Sequence, residues 1–509
     1  MWKSFNDKIN NTPPLYFVLG WWWAQLFTAS ELSLRLFSSI GLALSSLIIW
    51  RTLRRTYSFW GTSLAVIIPF CGSPLVYYQN SEARMYGLYL IVTALGLVLY
   101  DNINKKEKPG YDLLIANVLV HAAFIQTHLH GVFFSGAILV SFMARDWYFK
   151  QYRPMVYLSI VVGWLSFLLY LPTFLVQADA GNPRTWIYLP TLRDLVDTLT
   201  LFEYSSRQWL IPFPFAYKTW GKLAAFVTAT GLSVWFFTAT LKKVTRSSWK
   251  SPAKYLKEES SVSLLILAYA FLAVPVFVWC ISYIIKPVFM DRYLMPVILS
   301  WTIMLAQLFS QFIELSKKWE HSNAQRQWQT WLPTLRTTGL IVLAAGFLAI
   351  PVVRGKFRWQ EGRPGSNDNK FGYESLPIVI NYSNEFLKLL QYSPQRDRYR
   401  FVQHWPSAVD TTSGLFPPQE YKHLEALKRR LPHHFKNQII QSNEFLKTTK
   451  RFLVFNKTDY AKTATTKPTI ENAQRPQWFN KVIKNNPNYK VTKLGSLNSY
   501  WYVHLVEAK

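Results

Sequence analysis

Long apolar runs separated by short polar segments dominate the first 350 residues of the chain. Most of these runs approach the length that an α-helix needs to cross the hydrocarbon core of a bilayer. The pattern therefore predicts an all-α polytopic membrane domain with about ten transmembrane helices. The predicted spans are 34–50, 58–78, 84–100, 111–127, 131–144, 155–177, 220–241, 262–285, 293–315 and 335–353.

Lys and Arg are unevenly divided between alternate loops of this domain. One set of five loops holds 18 of these residues, and the opposite set holds 6, although the opposite set includes the longest loop, 178–217. Cytoplasmic loops carry the excess of Lys and Arg. The count places the first set in the cytoplasm and makes the loop with Glu82 and Arg84 extracytoplasmic. The richer set is 51–57, 101–110, 144–154, 242–259 and 316–334.

Residues 1–33 read as an extracytoplasmic interfacial segment. The stretch 13–28 is apolar but short, and it contains Trp21, Trp22 and Trp23, a composition typical of the membrane–water interface. No apolar helix precedes it in this chain to carry it across the membrane. We therefore expect the gene to begin upstream of Met1 and to encode a further apolar helix followed by an acidic pair.

The longest loop, 178–217, contains apolar residues at helical spacing between Leu192 and Phe202. This spacing predicts an amphipathic helix. Its acids, which include Asp194 and Asp197, are either a solvated face or contacts for an acceptor.

The chain changes character after Arg354. Residues 354–370 are predicted to be a linker, and 371–509 a small extracytoplasmic α/β domain. This region carries 26 Lys or Arg against 12 Asp or Glu. Such a basic domain at a membrane surface is attracted to anionic headgroups or glycans, and its location argues against nucleic acid. Strands are predicted at 399–405, 451–456, 489–494 and 500–506, the last two as a hairpin, and helices at 375–391, 418–431 and 474–485.

Five short motifs occur in order over about residues 12–300. They are PPLY from Pro13, SELSLRL from Ser30, EARMY from Glu82, THLHG from Thr127 and DRYLMP from Asp291. Together they resemble the landmarks of polytopic C-type (GT-C) glycosyltransferases, relatives of the dolichyl-phosphate-mannose protein mannosyltransferases and the aminoarabinose transferases. The resemblance implies a GT-C-like fold and transfer of a hexosyl or pentosyl group, with inversion, from a polyprenyl-phosphate donor.

The resemblance and the charge pattern together suggest the site residues. Transfer from a lipid phosphate needs cations for the departing phosphate and a base for the acceptor hydroxyl. We predict Arg84 and Arg292 as the phosphate ligands. Supporting substrate contacts are predicted at Tyr86, His128, Lys286 and Tyr293.

The base is the open question of this site. The family carries an acidic motif before the PPLY landmark, and this chain begins after that point. Glu82 is the best-placed acid, although an ion pair with Arg84 would hold it ionised and weaken it as a base. Asp7, just before the PPLY landmark, is the alternative.

Simpler interpretations remain open for these residues. Glu82 and Arg84 could be an ordinary ion pair at a helix start, and His128 and His130 could be turn residues or share a metal. A His-x-His pair without a third ligand is weak evidence for a metal, so none is predicted. No cofactor is predicted, and a divalent cation has no support in the sequence.

Two further function classes fit the pattern. A lipid-linked-sugar transporter would share the polytopic architecture, but we find no internal repeat of the kind such proteins show. A non-catalytic or truncated relative that binds a lipid-linked sugar would account for the missing acidic motif. We favour a glycosyltransferase in a bacterial plasma membrane, with membrane lipids and the polyprenyl-phosphate donor as partners. The sequence specifies neither the sugar nor the acceptor.

Overall fold

The computed structural model describes residues 12–180, 187, 189–200, 219–247, 252–322, 332–357, 368–409, 417–457, 478–498 and 501–509. The chain divides into two compact units. The helical unit contains the described residues of Thr12–Leu171 and Ile187–Phe357. The C-terminal unit contains those of Arg358–Lys509, together with those of Pro172–Trp186.

Fourteen α-helices are described up to residue 357. They are α1 Leu15–Phe27, α2 Glu31–Leu53, α3 Phe59–Gly72, α4 Pro74–Asn80, α5 Tyr86–Asn104, α6 Tyr111–Thr127, α7 Gly131–Tyr148, α8 Pro154–Trp164, α9 Phe167–Ala180, α10 Leu192–Thr200, α11 Thr219–Ser247, α12 Pro252–Ile284, α13 Ile298–Ser322 and α14 Leu332–Phe357. A 3₁₀ helix, Asp291–Val297, leads into α13.

Seven of the described helical segments are long and apolar enough to cross a membrane. Many of their large apolar side chains face outward, as those of Leu169 and Ile284 do at 87% and 80% exposure. Soluble proteins do not expose apolar surface on this scale, so the unit is an integral membrane domain. The seven segments are Glu31–Leu53, Tyr86–Asn104, Pro154–Val176, Leu223–Lys242, Glu258–Ile284, Asp291–Lys318 and Pro333–Ile350.

Each predicted span coincides with helical structure, and two of them are interrupted. The second run divides at Ser73, whose extended backbone separates α3 from α4. Pro74 opens α4 because a proline tolerates the first helical turn, where its missing N–H is not needed. The run 155–177 divides into α8 and α9 around Leu165 and Ser166.

The helical unit packs around one apolar core. Its closest helix pairs are α2 with α5, α3 with α13, α6 with α8 and α7 with α12. Helix α5 is largely enclosed, and Tyr86, Tyr89 and Tyr100 on it are almost completely buried. The two ends of α5 therefore mark two buried polar regions, one at each face of the bundle.

The C-terminal unit contains a six-stranded mixed sheet in the order β3-β2-β1-β4-β6-β5. The first four strands of that order run parallel, and β6 is antiparallel to both β4 and β5. The strands are β1 Ile378–Val379, β2 Tyr399–Gln403, β3 Ile439–Gln441, β4 Arg451–Lys457, β5 Tyr489–Asn498 and β6 Trp501–Ala508. The helices are α15 Ser383–Tyr392, α16 Trp405–Val409, α17 Pro417–Arg430, α18 Pro432–Phe435 and α19 Ser442–Thr448, with a single π-helical turn at Phe479–Ile483.

The predicted α/β character of this unit is confirmed, and so is the pairing of its last two strands. Strands β2, β4, β5 and β6 correspond to the four predicted runs. The sequence analysis missed β1 and β3, which have two and three residues. So few residues show no alternation of apolar and polar positions. The helix predicted at 375–391 is wrong over its first part, because β1 lies there and the helix begins only at Ser383. The predicted helix 474–485 is described only from Trp478, where it contains the π-helical turn.

Candidate functional site

Two of the sequence landmarks meet through one buried serine, which lies just after a third. The Tyr16 hydroxyl lies 3.1 Å from the Ser38 hydroxyl. Ser38 donates in turn to the Arg84 carbonyl at 2.9 Å and receives the Arg84 N–H at 3.2 Å. The tyrosine of PPLY and the backbone of EARMY are therefore held together by a residue of α2, just after the SELSLRL landmark.

Two glycines make this approach of α2 and α5 possible. A Cβ atom on Gly41 would lie 2.4 Å from the carbonyl carbon of Gly87, which real structures do not allow. Small residues at facing positions let two membrane helices pack with their backbones nearly in contact. Gly41 follows Ser38 by one helical turn, so this close contact sets the distance at which Ser38 meets Arg84.

Arg84 and Glu82 form an ion pair, as one of the two sequence interpretations expected. The Arg84 Nε lies 3.0 Å from a Glu82 carboxylate oxygen, and the side chains are 46% and 27% exposed. A pair this accessible contributes little to stability. The arginine head is therefore available to an anion at the mouth of the site.

The THLHG turn between α6 and α7 holds two buried histidines whose tautomers the contacts define. The His128 Nδ1 accepts the His130 backbone N–H at 3.1 Å, which leaves the His128 proton on Nε2. The His130 Nε2 is 2.9 Å from the Val288 carbonyl and must donate to it. This bond joins the turn to the segment that leads into the 3₁₀ helix.

Burial controls the charge of both histidines. Desolvation, with contributions from His130 and Arg292, holds the pKa of His128 well below its ordinary value. Burial lowers the pKa of His130 to about 4, although its bond to the Val288 carbonyl acts in the other direction. Both rings are neutral at pH 7. The positive charge of the site therefore comes from its arginines.

The rings of the site form a stack that ends in a guanidinium. Tyr89 lies parallel to His128 with 5.3 Å between ring centres, and Tyr293 covers His128 at 4.7 Å and His130 at 4.9 Å. The Arg292 guanidinium lies 5.4 Å from the Tyr293 ring centre. Tyr89 and His128 are buried, whereas Tyr293 and Arg292 are partly exposed. A ligand would therefore contact the stack at Tyr293 and Arg292.

Tyr86, the first residue of α5, lies between the two arginines in this arrangement. Its hydroxyl interacts electrostatically with both Arg84 and Arg292, and its ring lies 6.2 Å from that of His128. The structure thus brings together five of the residues predicted from sequence, from three separate parts of the chain. They are Arg84, Tyr86, His128, Arg292 and Tyr293.

The remaining predicted residues stand apart from this group or outside the description. Lys286 is exposed beyond the end of α12 and, among the described residues, forms no hydrogen bond or ion pair with the ring stack. Glu82 reaches the group only through Arg84. Asp7 lies outside the described residues. Among the described residues, no group of three or more His, Cys, Asp or Glu could hold a metal ion.

The amphipathic helix predicted in the longest loop is present as α10, which contacts the 3₁₀ helix. Two indole groups fix it to the bundle: Trp279 donates to the Thr191 carbonyl at 3.2 Å and Trp301 to the Leu199 carbonyl at 2.6 Å. Its Asp194 caps the helix through the Thr191 N–H at 2.6 Å. Asp194 and Asp197 both act electrostatically on Asp291, so the site has an acidic side next to its arginines.

The sequence analysis did not select Ser38, Tyr89 or Asp291 as site residues. Tyr89 follows Tyr86 by three positions and so lies on the same helical face, which is a usable signal. Asp291 directly precedes Arg292, and the sequence analysis named it only as the first residue of the DRYLMP motif. Ser38 carries no signal, because several other serines occupy the same apolar helix and only the fold selects this one.

Comparison with known proteins returns no matching family model and no matching curated protein. Solved structures that are similar to the chain include two of ArnT from Cupriavidus metallidurans. The form bound to undecaprenyl phosphate has 12% identity and a TM-score of 0.45, and the apo form has 13% identity and a TM-score of 0.44. Each alignment covers 99% of this chain and 91% of the ArnT chain.

Proposed function

We propose that this protein is an integral membrane glycosyltransferase of the GT-C type. It moves a hexosyl or pentosyl group from a polyprenyl-phosphate donor to an extracytoplasmic acceptor. The observation that carries the proposal is the convergence of motif residues: Tyr16, Arg84, Tyr86, His128 and Arg292 belong to four motifs and meet at one end of the bundle. A membrane position and paired arginines suit a lipid that ends in a phosphate.

In the proposed reaction the bond between the sugar anomeric carbon and the phosphate oxygen breaks. The electron pair leaves with the phosphate, whose growing charge Arg84 and Arg292 neutralise, while Tyr86 donates its hydroxyl proton in a hydrogen bond to a phosphate oxygen. The acceptor oxygen attacks the opposite face of the anomeric carbon and forms the new bond. Inversion at that carbon follows from this single displacement.

The proton of the acceptor hydroxyl must pass to a base. We assign this role to Glu82, with Asp7 as the alternative. The neutral His128 orients Tyr293, which in turn supports the guanidinium of Arg292. Lys286 is proposed to contact the donor from the rim of the site, where it is exposed.

The active end and the C-terminal unit are proposed to be extracytoplasmic, in a bacterial plasma membrane. The excess of Lys and Arg in the alternate loops at the far ends of these helices supports this orientation. Lipid-linked sugars presented on the outer side would then reach the site from the membrane.

The test is turnover of a labelled polyprenyl-phosphate sugar by the purified protein and its arginine variants. We expect Arg292→Ala and Arg84→Ala each to lower turnover roughly 10²–10³-fold, the scale seen when one preorganised charge-stabilising group is lost. Arg292→Lys should restore little, since a lysine cannot reproduce the planar guanidinium on Tyr293. Arg51→Ala is the matched control, because Arg51 is exposed in the last turn of α2, at the other end of the bundle.

Two results would contradict the proposal. Equal losses of folded protein and of activity in the Arg292 variants would mean that the residue only stabilises the fold. Tight binding of the donor with no transfer to any acceptor would instead identify a non-catalytic lipid-binding relative.

A further inference from the structure

The C-terminal sheet has a polar patch on one face that the proposed transfer reaction does not use. The patch contains Asn456 on β4, His504 and Tyr502 on β6, and Lys493 on β5. Pairing fixes their positions: Val454 and Lys493 flank His504, while Asn456 and Ser496 flank Tyr502. Alternate residues of a strand share a face, so these side chains lie on one surface.

Two buried polar atoms of this patch lack hydrogen-bond partners. They are the Oδ1 of Asn456 and the Nδ1 of His504, and within the described C-terminal unit no other side-chain atoms have this property. They are diagonal neighbours across the β4–β6 pair, where the separation of such residues is about 7–8 Å. An unsatisfied buried polar atom costs roughly 1–3 kcal/mol, so two on one patch suggest a missing ligand.

Positive charge lies close to the imidazole of His504. Burial, together with the positive charges of Lys484 and Lys493, lowers the pKa of His504 to about 4. The Lys493 Nζ lies 4.1 Å from the ring centre of Tyr502, and the Phe479 ring lies 5.1 Å from that of His504. On this face of β4, β5 and β6, no described strand residue is acidic, and Glu507 lies on the other face.

We propose that this patch is a binding site for an anionic, polyhydroxylated ligand such as a sugar phosphate. The two lysines attract the anion, the Asn456 oxygen accepts a ligand hydroxyl, and the imidazole bonds a second polar group. Tyr502 supplies the apolar ring surface typical of small-molecule sites. The ligand chemistry has two sources, a soluble sugar phosphate or the headgroup of a lipid such as phosphatidylglycerol.

The test measures binding alone and does not depend on the transferase proposal. Full-length protein in phosphatidylcholine nanodiscs is titrated calorimetrically with glucose 6-phosphate, and with glucose and inorganic phosphate for comparison. We expect glucose 6-phosphate to bind at least tenfold more tightly than either comparison compound. Replacing phosphatidylcholine with phosphatidylglycerol should weaken this binding if the lipid headgroup occupies the site, and should leave it unchanged if the ligand is soluble.

Lysine variants locate the site. Lys493→Gln should weaken binding about tenfold, and the double variant with Lys484→Gln should weaken it further. Lys490→Gln is the matched control: it makes the same charge change on the same strand, but Lys490 pairs with Glu507 on the opposite face. Lys490 and Lys493 are both exposed on β5, so neither replacement should disturb the fold.

An independent readout is the titration of His504, assigned by comparison with His504→Gln. Because the pKa of His504 is depressed in the free protein, a bound anion should raise that pKa by about one unit. A shift of this size means that the anion binds about tenfold more tightly to the protonated histidine than to the neutral one. Binding should then tighten as the pH falls towards 5. Absence of binding by all three compounds, or equal losses in the Lys490 and Lys493 variants, would overturn the proposal.

Discussion

At the residue scale, the arginines of the candidate site matter because the histidines beside them are neutral. His128 and His130 are buried with depressed pKa values, so neither supplies charge to an anion at pH 7. They fix ring positions instead. Tyr293 packs against both imidazoles, and the Arg292 guanidinium packs against Tyr293. The two histidines therefore define the position of the guanidinium through the tyrosine ring.

His130 predicts a pH dependence of stability. Its pKa is about 4 in the folded state and near 6.5 in an unfolded chain, so the unfolded state binds the proton first. The contribution of neutral His130 to the free energy of unfolding is complete above pH 6.5. It decreases by up to about 3 kcal/mol as the pH falls to 4. His130→Gln, whose amide can still donate to the Val288 carbonyl, should therefore show a smaller fall in melting temperature between pH 7.5 and 5. His433→Gln, at an exposed position, should match the wild-type slope.

At the element scale, close helix contacts hold the site in place. Helices α2 and α5 approach through Gly41 and Gly87, and the same approach joins Ser38 to Arg84. The far ends of the helices carry a second buried polar region. There Asp146 binds Arg145 at 2.9 Å, Arg153 at 2.6 Å and the Tyr157 hydroxyl at 2.8 Å, and Glu259 pairs with Arg145.

Gly41→Ala tests the α2–α5 contact. The new methyl would collide with the Gly87 carbonyl, and neither backbone can move without separating the helices. We expect a loss of about 1–3 kcal/mol in stability and reduced donor binding, since Ser38 would shift away from Arg84. Gly136→Ala places the same methyl on α7 with nothing within 4 Å, and should be neutral or slightly stabilising. Similar melting temperatures for the two variants would refute the role given to the contact.

Asp146→Asn tests the far-end network. The change leaves the buried cations of Arg145 and Arg153 without their shared carboxylate, which typically costs about 3–5 kcal/mol. Helix α7 separates Asp146 from the site by roughly 20–25 Å at 1.5 Å per residue. Turnover per folded molecule at low temperature should therefore stay at the wild-type value while the melting temperature falls. Asp112→Asn, at an exposed carboxylate in the first turn of α6, should change neither quantity.

At the scale of the whole molecule, the distribution of basic residues sets an orientation in the membrane. The EARMY loop and the turn that follows α5 lie at opposite ends of the same buried helix. The positive-inside rule assigns the second of these to the cytoplasm. On that orientation we propose that the basic C-terminal unit, with the patch around His504, is on the outer side.

Cysteine labelling measures this orientation directly, once the free Cys71 and Cys280 have been replaced. A membrane-impermeant maleimide should label cysteines at Ser81 and at Lys436 in intact cells. It should label one at Glu107 only after permeabilisation. All three positions are exposed, so access is limited by the membrane alone. The reverse pattern would put the arginines of the site in the cytoplasm and contradict a donor presented on the outer side.

The sequence by itself determined the class of the molecule and its division into parts. Apolar runs of membrane-spanning length and the excess of Lys and Arg in alternate loops are local properties. They can be recognised without knowledge of any contact. The helices of the bundle, the amphipathic α10 and the last two strands follow from such local signals. The motifs also placed Arg84, Tyr86, His128, Arg292 and Tyr293 in one group before their contacts were known.

The tertiary structure alone decided which of these residues meet and in what state. Ser38 is one serine among several on α2, and only the approach of Gly41 to Gly87 selects it as the partner of Arg84. The neutrality of His128 and the stack beneath Arg292 depend on burial by segments distant in the chain. Strands as short as β1 and β3 are likewise stabilised by their neighbours in the sheet. Each of these features depends on contacts between distant residues, which local patterns along the chain do not encode.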